Sequence, residues 1–407
     1  MAVHVVNEAR RCLQCKNPKC REGCPAHTPI PDMIRLLLNG KMNEAGDILF
    51  ANNPLSIVCS LVCNHENQCE GHCIQKIKGS AIHISSIENY ISDTCFDKLE
   101  LKKEEKKGIK AAIIGSGPAG ITVAIRLAQK GYDVTLFESR DRIGGVLRYG
   151  IPEFRLPKSI LDRYEEKMVQ LGIQIRPNTT IGGALTIDDL FRDDYKAVFI
   201  GTGVWRSKTL GIKGESLGNV HFAIDYLINP DVYHLGDHVA IIGAGNSAMD
   251  VARTALRKNC RFVTIYARGN TIAASQREQD YAKADGVEFR NGMMPEEIRE
   301  AGPVFREAVF DEDGNVLSYK QPELCPADTT IIAVSQGPKD KIVNTTEGIA
   351  TTKSGLVWTD AEGKTTHEGI FASGDVVRGA KTVVEAMRYS KKVAESMDAY
   401  MSGPVKK

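Results

Sequence analysis

The stretch "IKAAIIGSGPAGITVAIRLAQKGYDVTLFES", residues 109–139, decides the fold of this 407-residue chain. An apolar run ends at the turn Gly115-x-Gly117-x-x-Gly120, a helical pattern follows, and a second apolar run ends at Glu138. In such a strand–turn–helix unit the first glycine makes the turn, the second lets a pyrophosphate approach and the third packs helix on strand. Glu138, eighteen residues after Gly120, is placed to accept a hydrogen bond from a ribose hydroxyl. The stretch predicts a Rossmann-like dinucleotide-binding unit.

A second copy of this pattern is "DHVAIIGAGNSAMDVARTALRKNCRFVTIYAR", residues 237–268, with the turn Gly243-x-Gly245-x-x-Ala248. Twenty residues beyond Ala248 stands Arg268 instead of an acid. An arginine at the ribose position suits the 2′-phosphate of NADP, whereas an acid suits NAD. The alternative is a solvated surface arginine. Two fingerprints predict two nucleotides bound by one chain.

A late segment, "GIFASGDVVRGAKTVVEAMRYSKKVAESMDAYM" at residues 369–401, returns to the first unit in this interpretation. It has a strand pattern, the turn Gly374-Asp375 and a long helix that starts near Thr382. "YKAVFIGTGV", residues 195–204, is a further strand pattern that ends in Thr202-Gly203. The sequence therefore predicts an α/β fold with two Rossmann-like domains, the second inserted into the first.

Eight of the eleven cysteines lie before Ile74, in two groups. Their spacings are Cys12-x2-Cys15-x4-Cys20-x3-Cys24 and Cys59-x3-Cys63-x5-Cys69-x3-Cys73. Eight thiolates match two [4Fe–4S] clusters, and a cysteine followed by proline, as at Cys24, is typical of ferredoxins. Structural zinc is the alternative, although these spacings differ from those of a zinc ribbon.

Composition and charge exclude several classes of protein. The chain is 42% hydrophobic and 25% charged, which is typical of globular proteins, and its net charge of +1 indicates neither nucleic acid nor anionic lipid as a partner. It contains no apolar run of membrane-spanning length and no signal-peptide pattern, so we expect a cytoplasmic protein. Closely spaced cysteines in that reducing compartment favour metal binding over disulfides.

The remaining patterns predict the domain organisation. "IPDMIRLLLNGKMNEAGDILFANN", residues 30–53, indicates two short amphipathic helices broken near Gly40, and the charged residues 97–108 form a linker. We expect a helical iron–sulfur domain at residues 1–108, an FAD-binding domain at 109–208 and 337–407, and an NAD(P)-binding domain at 209–336.

In these motifs the chain resembles the glutamate synthase small (beta) subunit family over nearly its whole length. That family includes the large subunit of NADH-dependent ferredoxin:NADP oxidoreductases and the N-terminal part of dihydropyrimidine dehydrogenase. The resemblance rests on the cysteine groups and on "GSGPAG", "RIGGVLRYGIPEFRLPK", "FIGTG", "GAGNSA" and "FASGD". It implies FAD on the first unit, NAD(P)H on the second and two [4Fe–4S] clusters.

The resemblance also implies roles for individual residues. The FAD contacts would be Ser116, Gly117, Pro118, Ala119, Gly120, Glu138, Gly145, Val146, Arg155, Gly374, Asp375 and Thr382, with Thr202 and Gly203 nearby. The pyridine nucleotide would contact Gly243, Ala244, Gly245, Asn246, Ser247, Arg268 and Ala333, with Glu278 as a catalytic residue near the nicotinamide. One cluster would be bound by Cys12, Cys15, Cys20 and Cys73, and the other by Cys24, Cys63, Cys69 and Glu88. Counting cysteines alone would choose Cys59 in place of Glu88.

Two departures from the family pattern bear on nucleotide choice. Where relatives often read Tyr-Arg-Arg, this chain reads Tyr266-Ala267-Arg268, and Ser335 replaces the glycine of an "AIGQ" pattern. NADH, or use of both nucleotides, therefore stays open.

No substrate-reducing site is evident in the chain, so we expect an electron-transfer subunit with a partner such as the glutamate synthase large subunit. The alternatives are a subunit of an electron-bifurcating transhydrogenase, which would work with ferredoxin and a second flavoprotein, and a non-catalytic assembly protein.

Overall fold

The computed structural model describes residues 2–403. The chain forms two compact units. The first contains the residues up to Arg148, Glu153–Val204 and the residues from Pro338 onward, and the second contains Tyr149–Pro152 and Trp205–Gly337.

The N-terminal part of the first unit is helical. Its elements are α1 (Ala2–Arg10), α2 (Lys19–Glu22), α3 (Ile30–Leu38), α4 (Met42–Asn52), α5 (Ser56–Val62), α6 (Gln75–Lys78), α7 (Ile84–Cys95) and a 3₁₀ turn (Phe96–Lys98). Isoleucines, leucines and methionines of α3, α4 and α7 form a buried core, against which Cys12, Cys20, Cys24 and Cys73 pack. The predicted helix break is confirmed, because α3 ends before Gly40, whose φ is +73°.

The first glycine fingerprint opens the α/β part of this unit. Its elements are β1 (Lys110–Ile114), α8 (Pro118–Gln129), β2 (Asp133–Phe137), α9 (Val146–Tyr149), α10 (Lys158–Gln170), β3 (Gln174–Arg176), α11 (Ile187–Arg192) and β4 (Tyr195–Ile200). The charged stretch before β1 contains no regular element beyond the 3₁₀ turn, is mostly exposed and lies within the first unit.

The second unit contains a parallel sheet and an antiparallel one. Its elements are β5 (Arg206–Ser207), β6 (Val220–Phe222), α12 (Ala223–Ile228), a 3₁₀ turn (Pro230–Val232), β7 (His238–Ile242), α13 (Asn246–Arg257), β8 (Phe262–Tyr266), α14 (Gln276–Asp285), β9 (Glu288–Arg290), β10 (Met293–Arg299), β11 (Gly302–Phe310), β12 (Val316–Tyr319), β13 (Glu323–Leu324), β14 (Thr329–Ile332) and β15 (Gln336–Gly337). The parallel sheet has the order β6-β14-β7-β8-β9. Strands β10, β11, β12 and β13 form the antiparallel sheet, and β15 pairs with β5 where the chain enters and leaves the unit.

The chain then returns to the first unit with α15 (Lys341–Asn344), β16 (Ile370–Ala372), α16 (Asp375–Arg378) and α17 (Val383–Ser402). Strand β16 pairs in parallel with β4, which gives the sheet order β16-β4-β1-β2-β3. The predicted fold class, with one Rossmann-like domain inserted into the other behind a helical domain, is confirmed. In residues 2–403 no single helix is long and apolar enough to cross a membrane, and only α4 and α5, bent by 83°, meet the length and composition test as a pair.

Candidate functional site

The first glycine turn leaves open the space that a pyrophosphate would need. A Cβ on Gly115 would lie 2.7 Å from the Gly201 carbonyl oxygen, and one on Gly120 would lie 1.9 Å from the Gly115 carbonyl oxygen. A Cβ on Gly117 would meet no atom within 4 Å. Gly115 and Gly120 are therefore required by packing, whereas Gly117 borders free space at the N-terminus of α8, where backbone N–H groups favour an anion.

Glu138 is buried beside this turn, with 5% of its surface exposed. Its Oε2 accepts hydrogen bonds from the Ser116 backbone N–H at 3.0 Å and from the Ser116 hydroxyl, and its Oε1 accepts from the Arg140 N–H at 2.9 Å. A Cβ on Gly145 would lie 2.8 Å from the Gly117 Cα, so the segment that leads into Val146 packs on the same turn.

Other residues predicted for FAD come from the returning segment. Gly374, at φ +79°, packs against Ala119, since a Cβ on Gly374 would lie 2.9 Å from the Ala119 Cβ. Burial raises the pKa of Asp375 to about 6. Thr382 caps α17 in a reciprocal capping box with Glu385.

Four more of the predicted FAD residues lie at the start of α8, after β4 and between α9 and α10. Pro118 is the first residue of α8, Thr202 and Gly203 follow β4, and Gly203 has φ +71°. Arg155 is half-buried between α9 and α10.

The second glycine turn has the same construction. A Cβ on Gly243 would lie 2.3 Å from the Ala333 carbonyl oxygen, whereas a Cβ on Gly245 would meet nothing within 4 Å. The Ala244 carbonyl oxygen accepts from the Ala274 N–H at 2.9 Å, and Asn246 Oδ1 accepts from the Ser275 N–H at 3.0 Å. The turn is thereby fixed to the segment before α14, with Ser247 exposed beside it.

Arg268 and Glu278 differ sharply in environment. Arg268 is exposed after β8 and forms no hydrogen bond or ion pair with another residue in the described range. Glu278, 9% exposed in the first turn of α14, accepts from Arg253 of α13 at 3.3 Å. Sequence reasoning missed this buried ion pair, because it joins positions on two different helices.

The first predicted set of cluster ligands shares one pocket. Cys12, Cys15, Cys20 and Cys73 line it together with apolar residues that include Ile30, Ile34, Ile82 and Ile84. Burial, and then the neighbouring Cys73 thiolate, raise the pKa of Cys20 to about 12. Without a positive group, four thiolates cannot share this pocket, so the donor set fits an iron–sulfur cluster.

The second predicted set lies around Glu88, a residue of α7 that is 5% exposed. Burial raises the pKa values of Cys24 and Cys69, and a hydrogen bond with Cys59 followed by burial raises the pKa of Cys63; the neighbouring Glu88 is a further, smaller cause for all three. Burial raises the pKa of Glu88 itself to about 8, and its carboxyl group forms no hydrogen bond with other described residues. A buried carboxyl group that has no hydrogen-bond partner and lies beside three thiols is suited to be a ligand of the same cluster.

Cys59 stays the alternative to Glu88. It is 3% exposed and close enough to Cys63 for a thiol hydrogen bond. All eleven cysteines are free thiols, and within residues 2–403 no three Cys, His, Asp or Glu side chains converge on a single metal-ion position.

Two polar contacts to these thiols were not expected from the sequence. The Cys24 sulfur lies 3.3 Å from the Thr28 hydroxyl, and the Cys69 sulfur lies 3.3 Å from Nδ1 of His65. His65 is 4% exposed, and its Nε2 lies 3.1 Å from the Ser60 carbonyl oxygen. In the sequence, the spacings Cys24-x3-Thr28 and His65-x3-Cys69 could have predicted these two contacts.

Comparison with known proteins gives these sites a family. Residues 109–390 match the pyridine nucleotide-disulphide oxidoreductase family, and residues 2–99 match "dihydropyrimidine dehydrogenase domain II, 4Fe-4S cluster". The chain is 33% identical to the glutamate synthase [NADPH] small chain of Azospirillum brasilense, over 97% of this chain and 88% of that protein. This chain belongs to the glutamate synthase small-chain family.

The chain is also similar to a dehydrogenase subunit over nearly its whole length, and its fold resembles that of a solved oxidoreductase. The NAD-dependent dihydropyrimidine dehydrogenase subunit PreT of Escherichia coli O157:H7 is 32% identical over 98% of this chain and 94% of its own length. Mycobacterium tuberculosis FprA in complex with NADPH shares the fold, with a TM-score of 0.59 at 19% identity over 72% of this chain and 85% of that one.

The family and the sites together identify the class of protein. The chain is an oxidoreductase subunit of the glutamate synthase small-chain type that uses FAD, NAD(P) and [4Fe–4S] iron–sulfur chemistry. The two open glycine turns and the shared cysteine pocket fit these groups. Iron–sulfur clusters are therefore favoured over structural zinc at the cysteine groups.

Proposed function

We propose that this subunit passes electrons between NAD(P)H, FAD, two [4Fe–4S] clusters and a partner subunit of the glutamate synthase large-chain type. One observation carries the proposal: the unit with the FAD fingerprint also contains both groups of cysteines, and the second unit contains a complete nucleotide turn of its own. Bound FAD supplies the exchange between a two-electron hydride and single electrons. The protein binds and orients the groups between which those electrons pass.

We assign the cluster ligands in two interlocked sets. Cys12, Cys15, Cys20 and Cys73 bind one cluster, and Cys24, Cys63, Cys69 and Glu88 bind the other. The shared pocket supports the first set, and the buried, unpartnered Glu88 carboxyl group supports the second. The proposed domains are residues 1–108 for the clusters, 109–208 and 337–407 for FAD, and 209–336 for NAD(P).

We assign the nucleotide sites to the two glycine turns. Gly117 and Gly245 leave room for the pyrophosphates of FAD and NAD(P)H respectively, and Glu138 accepts a hydrogen bond from the FAD ribose. Arg268 binds the 2′-phosphate of NADPH, a role that its exposed and unpaired guanidinium group supports. Glu278, held by Arg253, orients the nicotinamide.

The partner is inferred from the relatives, and the cellular location is inferred from the cysteines. The relatives named glutamate synthase small chain support a large subunit as partner. Free thiols and iron–sulfur ligands belong to a reducing compartment, so we propose the cytoplasm.

The decisive experiment is an anaerobic titration of the purified protein. We expect FAD, about eight irons per chain, and bleaching of the flavin absorbance on addition of NADPH. Arg268→Ala should raise the KM for NADPH about tenfold or more and leave the KM for NADH nearly unchanged, because only NADPH carries the 2′-phosphate. Zinc in place of iron, or a flavin that neither nucleotide reduces, would contradict the proposal.

The partner needs a second measurement. Purification from native extract should recover a glutaminase-bearing large chain with this subunit. Recovery of an NADH-dependent flavoprotein instead would favour the electron-bifurcating transhydrogenase.

A further inference from the structure

A threonine hydroxyl is buried against one of the cysteines assigned to the second cluster. Thr28 is 2% exposed, and its Oγ1 lies 3.3 Å from the Cys24 sulfur. In the free thiol either atom can donate this hydrogen bond. A cysteine that binds iron does so as a thiolate, which has no proton to donate, so the hydroxyl must be the donor when Cys24 is a ligand.

The backbone around Cys24 directs further donors at the same sulfur. Burial raises the pKa of Cys24, whereas the Thr28 hydroxyl and the backbone N–H groups of Thr28 and Ala26 act in the opposite direction, because each of them favours the thiolate. All of these groups belong to residues 24–29, which we call the Thr28 loop. The loop thus presents one side-chain donor and two backbone donors to a single sulfur.

The Thr28 loop is fixed in this shape. The rings of Pro25 and Pro29 restrict the backbone on either side of it. His27 adopts a left-handed backbone conformation with φ +49°, which residues other than glycine rarely adopt. Asn52 of α4 donates from Nδ2 to the Ala26 carbonyl oxygen at 3.2 Å. A strained residue such as His27 persists only where the surrounding structure holds it, so the donors are in place before a cluster binds.

We propose that Thr28 sets the redox potential of the cluster that Cys24 binds, by donating a hydrogen bond to the ligand sulfur. This role rests on the proposed function, since it takes Cys24 to be a cluster ligand. Reduction adds a negative charge that the ligand sulfurs share, and a donor to sulfur stabilises that charge and raises the midpoint potential. Because Thr28 is buried, its bond acts at low local dielectric. Thr28 is thereby a positioning residue that acts through Cys24.

A redox titration of the holoprotein tests the role of the hydroxyl. The two clusters are followed by electron paramagnetic resonance under anaerobic conditions, while dithionite lowers the solution potential in the presence of mediators. Thr28→Val replaces the hydroxyl with a methyl group of similar size. We expect it to make reduction of one cluster at least about threefold less favourable, a fall of about 30 mV in the midpoint potential of a one-electron couple. The other cluster and the flavin should keep their potentials.

Two further variants separate the hydroxyl from the packing of its side chain. Thr28→Ser retains the donor and should restore the wild-type midpoint potential. Thr28→Ala removes the hydroxyl without placing a methyl group against the sulfur, and it should lower the potential in the same direction as Thr28→Val. The alanine variant keeps the role testable if the valine variant fails to bind its cluster.

Gln14 offers a matched control at the first set of cysteines. Its exposed Nε2 donates to the Cys12 sulfur at 3.6 Å. Water can replace this donor in Gln14→Met, because the site is open to solvent. We therefore expect Gln14→Met to change the reduction equilibrium of either cluster by less than about 1.5-fold.

Several results would overturn the role of Thr28. These are unchanged potentials in both Thr28→Val and Thr28→Ala, an equal shift in Thr28→Ser, or an equal shift in Gln14→Met. Iron content and bleaching of the flavin by NADPH are measured in the wild-type protein and judge the proposed function separately. A wild-type protein that contains iron and a reducible flavin, but whose potentials ignore Thr28, would refute the role of Thr28 alone, whereas absence of iron would refute both.

Discussion

At the scale of single residues, the two glycines of the first turn serve different purposes. Gly120→Ala should lower the free energy of unfolding of the flavin-free protein by about 1–3 kcal/mol, because its Cβ would overlap the Gly115 carbonyl oxygen. Gly117→Ala should change that stability by less than about 0.5 kcal/mol yet strongly reduce the flavin content, because its methyl group fills the space left open for the ligand. Denaturant unfolding and the flavin-to-protein ratio measure the two effects. A fully flavinated Gly117→Ala protein would contradict the assigned role.

Asp375 should make the stability of the flavin-free protein depend on pH. Burial, reinforced by Glu385 and opposed by the Lys381 N–H, raises its pKa to about 6, above about 3.9 in the unfolded chain. The folded state therefore binds the proton more tightly than the unfolded state. The resulting stabilisation of the folded state is complete below about pH 4 and is lost as the pH rises through about 6.

The corresponding variant is Asp375→Asn. In the wild-type protein, Asp375 should lower the free energy of unfolding by on the order of 2 kcal/mol between pH 4 and pH 7, and the variant should not show this fall. Denaturant unfolding across that range measures it, with Asp313→Asn at an exposed turn as the control. Parallel pH profiles for Asp375→Asn and wild type would show that Asp375 is not perturbed in this way.

Ser335, where the family pattern has glycine, adopts a left-handed backbone conformation with φ +81°. Serine is strained there and glycine is not, so Ser335→Gly should stabilise the second unit by about 0.5–1 kcal/mol. As a control, Ser396→Gly in the interior of α17 should destabilise the first unit by about 0.5 kcal/mol. Thermal unfolding distinguishes the two, and a loss of stability in Ser335→Gly would mean that its side chain has another function.

At the scale of elements, three helices of the FAD-binding region hold the segment that joins α4 to α5. Arg126 of α8 donates to the Ala51 carbonyl oxygen at 2.5 Å, Lys391 of α17 donates to the Asn52 carbonyl oxygen, and the Tyr164 hydroxyl of α10 donates to the Pro54 carbonyl oxygen at 2.7 Å. Helix α5 contains Cys59 and leads directly to Cys63, so these three donors position the second group of cysteines against the FAD-binding region.

Removal of one donor should loosen this attachment. Lys391→Ala or Tyr164→Phe should cost about 1–2 kcal/mol of stability, because a half-buried or a buried carbonyl group, respectively, loses its partner, and should speed hydrogen exchange in residues 51–62. Lys392→Ala is the matched control on α17, since Lys392 donates to the exposed Ala361 carbonyl oxygen. Unchanged exchange in both Lys391→Ala and Tyr164→Phe would show that the bonds do not hold the segment.

At the scale of the whole molecule, the two compact units predict that unfolding has more than one transition. NADPH at about 100 times its Kd should raise the stability of the unit that binds it by about 2.7 kcal/mol. Calorimetry should therefore show one transition that moves with NADPH and another, assigned to the first unit, that does not. A single transition that shifts as a whole would mean that the two units unfold together.

Much of this architecture was predictable because it depends on local stereochemistry. The two strand–turn–helix patterns and the helix break near Gly40 depend on residues close together in the sequence, and the structure confirms both predictions. The return of residues 369–401 to the first unit was predicted from a strand pattern followed by Gly374-Asp375 and a long helix, and β16 pairs in parallel with β4 as that prediction requires.

Contacts between distant segments could not be read from the sequence. The antiparallel sheet β10–β13, the Arg253–Glu278 ion pair and the donors to the α4–α5 segment join positions whose separate patterns carry no mark of their partners.

The sequence by itself thus determined two nucleotide turns, a cysteine-rich helical region and the order of the domains, because backbone geometry and side-chain periodicity act over short ranges. The family resemblance implied that Cys73 groups with Cys12, Cys15 and Cys20, and Glu88 with Cys24, Cys63 and Cys69, but only the tertiary structure shows one pocket lined by the first four residues and Glu88 buried beside the other three. Those groupings depend on how the core of α3, α4 and α7 brings together segments about sixty residues apart, and that packing minimises exposed apolar area over the whole domain.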